Sequence, residues 1–363
     1  MDDNLNFDTL FAEAEALRGM EEYGQALELL SKLESTAREV GNVAVLKNAV
    51  LEQAYIYADK IKDFAKGVEM FAVVEILAQQ TSDRGTLLKA FYGQAVCFAG
   101  MGTQYGKALE KFEQTESLAG ELNHEKILFS ALGRMADIYY QHAENYEKAL
   151  EKLEIYASLC RKSGNMKQLD LAFKVMGECY EKLNRFEAVL KVSDERSELA
   201  AALGQKGTVA FCHNNAGYIL SNYLQRSEEA YDHYSRAEIV CREIDDKENL
   251  RASLLSQAFL LRYKLKRYDD ALQKYRDFEK LSRENGNEND LLDILDNEVW
   301  ILLEVSGDYE MAMKAALEME SVAARLGNKD KYISSLESQV FIHKQWGEKE
   351  QAAKKKKKIK AVS

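Results

Sequence analysis

The chain has 363 residues, 46% apolar, 30% charged and 10% aromatic, a balance that excludes a disordered or fibrous protein. Its net charge is −11, and six lysines lie between Lys354 and Lys360, so the rest of the chain carries −17; a body this acidic argues against nucleic acid as a partner. Proline is absent, where about 5% is average usage, which favours long uninterrupted helices.

The start, Met1-Asp2-Asp3-Asn4, is acidic and lacks the basic and apolar regions of a secretory signal. No run reaches the roughly 18 apolar residues of a membrane span, so a soluble, cytoplasmic protein without membrane insertion is expected. Cys97, Cys160, Cys179, Cys212 and Cys241 form an odd, scattered set with no Cys-x-x-Cys pair. Reduced thiols filling the core are expected, with neither disulfide nor zinc. Cys160 and Cys241 lie 81 residues apart, two repeats, and so hold equivalent helix positions.

Along the chain an aromatic residue is followed three places later by a small one: Tyr23 with Ala26, Phe64 with Gly67, Tyr105 with Ala108 and Tyr146 with Ala149. The register continues through Phe186, Ser227, Tyr268, Tyr309 and Lys349, at intervals of 40 or 41 residues. About 13 residues upstream lies a second small position, at Ala14, Ala54, Ala95, Ala136, Gly177, Gly217 and Ala258. Both segments have helical spacing, so each unit reads as helix A, a turn and helix B, with small residues where two axes approach. Nine units result, starting near residues 7, 44, 86, 126, 167, 207, 250, 290 and 331.

Asp63, Asn145 and Asp308 are predicted N-caps. The recurring Gly41-Asn42, Gly164-Asn165, Gly204-Gln205, Gly286-Asn287 and Gly327-Asn328 are predicted turns between units, glycine supplying the left-handed residue that ends a helix. The eighth and ninth units drift, with Val299 at the upstream small position, and looser packing is expected there. Residues 350–363 form a lysine-rich cap or tail. The Lys354–Lys358 run has three readings: a solvated capping helix, a polybasic or nuclear-targeting segment, or an expression artefact or chain break.

A helix pair with small residues at two fixed places, Tyr or Phe in helix A and an aromatic-x-x-Ala in helix B resembles the tetratricopeptide repeat family over essentially the whole chain. The usual unit of that family is 34 residues and ends in a proline that is missing here. The longer period looks more like the extended repeats of about 40 residues in cell-polarity adaptors and in bacterial regulators of the maltose-activator type. The resemblance implies an all-α solenoid of about nine stacked antiparallel hairpins, wound as a right-handed superhelix in one domain over residues 1–363, with helix A lining a concave groove. Groove candidates are then Tyr92, Arg134, Tyr140, Lys174, Asn214, Asn215, Tyr218, Arg262, Asn297 and Trp300. Asn214-Asn215-Ala216-Gly217-Tyr218 is the sharpest cluster, whereas Phe259 and Trp300 are expected to bury against a neighbouring helix.

Catalytic motifs are missing. The five histidines make no His-Glu-x-x-His pair and no serine elbow occurs. Gly100 to Lys107 fails as a phosphate loop, with Ala108 where Ser or Thr is required and no strand before it. The expected function is a non-enzymatic scaffold or adaptor, without cofactor or metal and monomeric on its own, that holds a peptide or helix of a partner protein. The alternative is a ligand- or peptide-responsive sensor domain controlling an output partner.

Overall fold

The computed structural model describes residues 7–284 and 286–362. They form α-helices and short π-helical turns, with no strand among the described residues. Two compact units are present, Met1–Leu183 and Asn184–Ser363. The first holds α1 (Phe7–Gly19), α2 (Tyr23–Glu39), α3 (Val43–Tyr55), α4 (Phe64–Gln80), α5 (Arg84–Gly100), α6 (Tyr105–Glu121), α7 (Glu125–Gln141), α8 (Tyr146–Ser163) and α9 (Met166–Lys182). The second holds α10 (Phe186–Ala202), α11 (Lys206–Asn222), α12 (Ser227–Glu243), α13 (Lys247–Phe259), α14 (Tyr268–Glu284), α15 (Glu288–Ile301), α16 (Tyr309–Leu326), α17 (Lys329–Gln345) and α18 (Lys349–Val362). In each unit every helix packs on its predecessor across a short turn, and helices A of successive hairpins also touch, as in α3 with α5, α11 with α13 and α15 with α17. Each unit is an α-solenoid of stacked helical hairpins of the tetratricopeptide-like kind.

The helix boundaries follow from local chemistry. Asp63, Asn145 and Asp308 each accept a hydrogen bond from the backbone N–H three residues on, as expected. Gly164 and Gly327 end α8 and α16 in the left-handed region, with φ of 70° and 67°. The asparagine of the Gly-Asn pairs does more than turn the chain: Asn42, Asn165, Asn287 and Asn328 cap the next helix A in the same way. Helix A of three hairpins closes in a π-helical turn, at Ile56–Ile61, Leu260–Leu265 and Leu302–Ser306.

Small residues bury completely where the axes meet, among them Ala26, Ala54, Ala95, Ala108, Ala149 and Ala258. Opposite them sit bulky helix B side chains, and at several glycines, Gly93 and Gly217 among them, the fit leaves no room for a methyl group. A Cβ on Gly93 would lie 2.4 Å from the Phe71 ring, and one on Gly217 would lie 2.8 Å from Tyr234. All five cysteines are buried as small fillers. Looser packing around Val299 is not found: Val299 is buried with Leu291, Leu292, Leu295 and Met319, because Ala315 and Ala316 on α16 vacate the volume that the larger residue takes.

A polar ladder runs through the same seams. The residue before the small position of helix A is glutamine in several hairpins, and it reaches a glutamate on the preceding helix B: Gln53 to Glu34 at 2.8 Å, Gln257 to Glu238 at 2.7 Å and Gln339 to Glu320 at 2.9 Å. A lysine from the following helix B completes the trio, Lys111 on Glu75 at 2.9 Å, Lys274 on Glu238 at 2.6 Å and Lys355 on Glu320 at 2.9 Å. Burial works to raise these carboxyls, yet Lys274 and Gln257 hold Glu238 below its usual range, and Lys355, Lys358 and Gln339 hold Glu320 down to about 2. The lysine-rich segment is therefore helical, with Lys355 and Lys358 both anchored on Glu320, while Lys354, Lys356, Lys357 and Lys360 face solvent.

Glycine positions separate packing from propensity. Gly93→Ala should lower stability by about 1–3 kcal/mol through overpacking against Phe71. Gly177→Ala, where a Cβ would meet nothing within 4 Å, should raise it by up to about 1 kcal/mol. Denaturant midpoints of the two variants check both signs.

Candidate functional site

The residue after the upstream small position lies about 100° further round the helix and so points off the seam. In the second unit that place is aromatic four times in succession, at 41-residue spacing: Tyr218 on α11, Phe259 on α13, Trp300 on α15 and Phe341 on α17. Their exposures are 50%, 55%, 39% and 39%, respectively. Leu255 and Tyr263 flank Phe259 one helical turn away on each side and are also exposed, as is Phe211 two turns before Tyr218 on α11. In the first unit the same place runs Glu15, Tyr55, Val96, Asp137 and Glu178, without a row of rings.

The wall is stiffened from behind. Arg262 lies in the π-helical turn that follows α13, with its guanidinium 4.2 Å from the centre of the Trp300 ring and 4.6 Å from that of Tyr263. It donates to Oδ1 of Asn297, which also accepts from the hydroxyls of Tyr275 at 3.2 Å and Tyr263 at 3.3 Å. The Asn297 amide donates to the carbonyl of Asp293 at 2.7 Å, so its orientation is fixed. Burial pushes the Tyr275 hydroxyl up to about 12, keeping it a neutral donor. Phe259 and Tyr263 lie against each other at 4.4 Å. Arg262 itself is buried, so the aromatic faces rather than its charge meet solvent.

The predicted groove residues fall into distinct roles. Asn214 is spent on the neighbouring helix: its Nδ2 donates to the carbonyl of Asn249 at 3.3 Å and its Oδ1 accepts from the Ser253 hydroxyl at 2.8 Å. Asn215 is half-buried and Tyr218 exposed. Arg262 and Asn297 buttress the wall, and Trp300 is part of its surface. The expected burial of Phe259 and Trp300 is overturned, because α13 and α15 turn these rings off the seam that buries Ala258 and Val299.

In the first unit Tyr92 is half-buried and meets Phe112 edge-on at 6.1 Å. Tyr140 donates to Glu178 at 2.8 Å, and Lys174 lies 3.9 Å from the same carboxylate. Burial first, then Glu178, pushes the Tyr140 hydroxyl up to about 12. These groups border a cleft of about 370 Å³ lined also by Gly133, Asp137, Tyr156 and Leu171. Arg134 is exposed and borders a separate cleft of about 300 Å³ beside Phe64, Tyr105 and His142.

Phe341, Tyr263, Leu255 and Phe211 complete the wall and escaped the sequence reading. The signal for Phe341 is present, since it follows Val340 in the register of the other three, but valine hides the small position there. Elsewhere burial pushes the thiols of Cys97 and Cys179 up to about 12, far from nucleophilic. No group of three His, Cys, Asp or Glu poised for a metal occurs among the described residues. His213 and His233 face each other with 3.3 Å between their Nδ1 atoms, and burial lowers both, His213 to about 4.

No family model matches the chain, and no curated protein matches it in sequence. Among solved structures it is similar to the C-terminal part of a TPR repeat-containing protein from Cytophaga hutchinsonii, at 14% identity and a TM-score of 0.48, covering 75% of this chain and 95% of that one. The apo form of RapI is 13% identical with a TM-score of 0.45, covering 93% and 98%. Aspartyl phosphate phosphatase F from Bacillus subtilis is 14% identical with a TM-score of 0.39, covering 100% and 95%.

The buttress and the surface should respond differently to truncation. Asn297→Ala leaves the buried Arg262 and Tyr275 donors without their acceptor and should cost about 1–3 kcal/mol. Tyr218→Ala should cost less than about 1 kcal/mol. Urea unfolding of both variants measures the contrast.

Proposed function

We propose that the chain is a non-enzymatic interaction scaffold that holds a peptide or helical segment of a partner protein on the aromatic wall of its second unit. The observation that carries this reading is the four-fold repetition of an exposed aromatic ring at one register, Tyr218, Phe259, Trp300 and Phe341. Single exposed apolar residues are ordinary, but contiguous apolar patches mark contact surfaces. Aromatic anchors with a rigid backing contribute most of the energy in such contacts. Arg262 and Asn297 supply that backing, so little side-chain freedom is lost when a partner docks. Helix α11 touches α13 and α15 touches α17, and Arg262 after α13 lies on the Trp300 ring of α15, so an extended segment lying across these helices meets one ring per repeat.

Among the described residues no helix is long and apolar enough to cross a membrane. The acidic body favours a partner segment that is apolar and neutral or basic rather than a polyanion.

The test is selection of peptides from a random display library on the intact chain, followed by titration of the selected peptides by tryptophan fluorescence. The chain has only two tryptophans, Trp300 and Trp346, and Trp346→Phe leaves Trp300 as the sole reporter. Selected peptides should carry spaced apolar side chains and change the Trp300 emission. Phe259→Ala combined with Phe341→Ala should weaken them at least about tenfold. Unchanged affinity in that variant overturns the assignment of the wall.

A further inference from the structure

At one rung of the polar ladder an acid stands where the complete rungs have glutamine. Glu279 on α14 occupies the glutamate position, but the residue reaching toward it from α15 is Glu298 instead of glutamine, and the lysine position on α16 is Ala315. The rung therefore carries two carboxyl groups and lacks the cation that Lys274 and Lys355 provide on the rungs before and after it. Glu298 is only 6% exposed, and its Oε1 is buried without a hydrogen-bond partner. Of the nearby cations on α14, Arg283 is shared between Glu279 at 2.5 Å and Glu318 at 2.7 Å and stays half-exposed, and Arg276 is exposed. On α17, Lys331 is held by Asp296 at 2.6 Å and Asp293 at 3.4 Å, while Tyr332 packs on the apolar cluster below. Glu304, in the π-helical turn after α15, is exposed.

We infer that Glu298 is a proton-dependent fastener of α15: protonated, it sits between α14 and α16 as the glutamines do on other rungs, and losing its proton loosens the second unit. A buried carboxylate with no cation is costly, whereas a buried neutral carboxyl costs only its unmade hydrogen bond. Burial raises the Glu298 carboxyl to about 8, Glu279 and Glu318 adding to the rise and Arg276 and Arg283 opposing it. The sign follows from linkage. An acid whose proton is held more tightly in the folded state stabilises that state fully below its unfolded value, near 4.5, and the contribution is lost as pH rises to about 8. His213 and His233 act in the opposite sense at lower pH, because burial depresses both and their penalty appears only as pH falls below about 6.5. The fastener concerns the seating of α15 and holds whether or not the aromatic wall binds a partner.

The experiment is chemical unfolding of the full chain between pH 6 and pH 9, followed by tryptophan fluorescence, since Trp300 and Trp346 both lie in the second unit. The wild-type midpoint should fall across this interval. Glu298→Gln restores the ladder's usual residue and should remove the fall, so that the ratio of wild-type to variant unfolding constants rises at least about tenfold from pH 6 to pH 9. Ala315→Lys supplies the missing cation and should also flatten the profile. An infrared difference spectrum between wild type and Glu298→Gln at pH 7 should show one protonated carboxyl, a signature that does not depend on stability. Parallel pH profiles for wild type and Glu298→Gln, or no protonated carboxyl in the difference spectrum, overturns the inference.

Discussion

Close approach of helix axes at two small positions per repeat is the constraint on which everything else in this protein depends. Where Ala26, Ala54, Ala108 and Ala258 bury completely, the backbones come near enough for a ring from one helix to cover the next. At Gly93 and Gly217 even a methyl group is excluded. Close seams fix the rotation of each helix about its axis, and rotation decides which side chain meets water. In the second unit that rotation carries Tyr218, Phe259, Trp300 and Phe341, one step beyond the seam position of helix A, out to solvent.

The same seams carry polar groups at regular intervals. Glu75, Glu238 and Glu320 are each satisfied there by a glutamine and a lysine from two different helices. This makes the ladder a register device as well as a source of stability, since sliding one helix by a residue separates all three partners. The rung of Glu279 and Glu298 differs from these, with a second acid in place of glutamine and Ala315 in place of lysine, and there a proton can substitute for the missing cation. Val299 beside it shows the apolar side of the same adjustment, with Ala315 and Ala316 making room on α16.

Helix identity, hairpin order and capping were legible in the residues because they depend on local chemistry. The 40- or 41-residue period locates both helices of each hairpin, and Asp63, Asn145 and Asp308 cap where their side chains suggest. The candidate site was legible only in part. Tyr218 and Trp300 belong to the wall, but Asn214, Arg262 and Asn297, equally polar and equally placed by register, turn sideways to bond adjacent helices. A side chain long enough to reach either the solvent or a neighbour has its choice made by that neighbour, and Ser253, Asn249 and Tyr275 lie about 20 to 40 residues away in the chain.

The amino-acid sequence by itself determined the all-helical repeat, its period and the burial of its small positions, because periodicity and size act through nearest neighbours along the chain. Only the tertiary structure decided that Phe259 and Trp300 are exposed, that Phe341 extends their row, and that Glu298 faces a position without a lysine. Each of these depends on how one helix is rotated against another, and that rotation is set jointly by side chains from hairpins that are neighbours in space and distant in the chain.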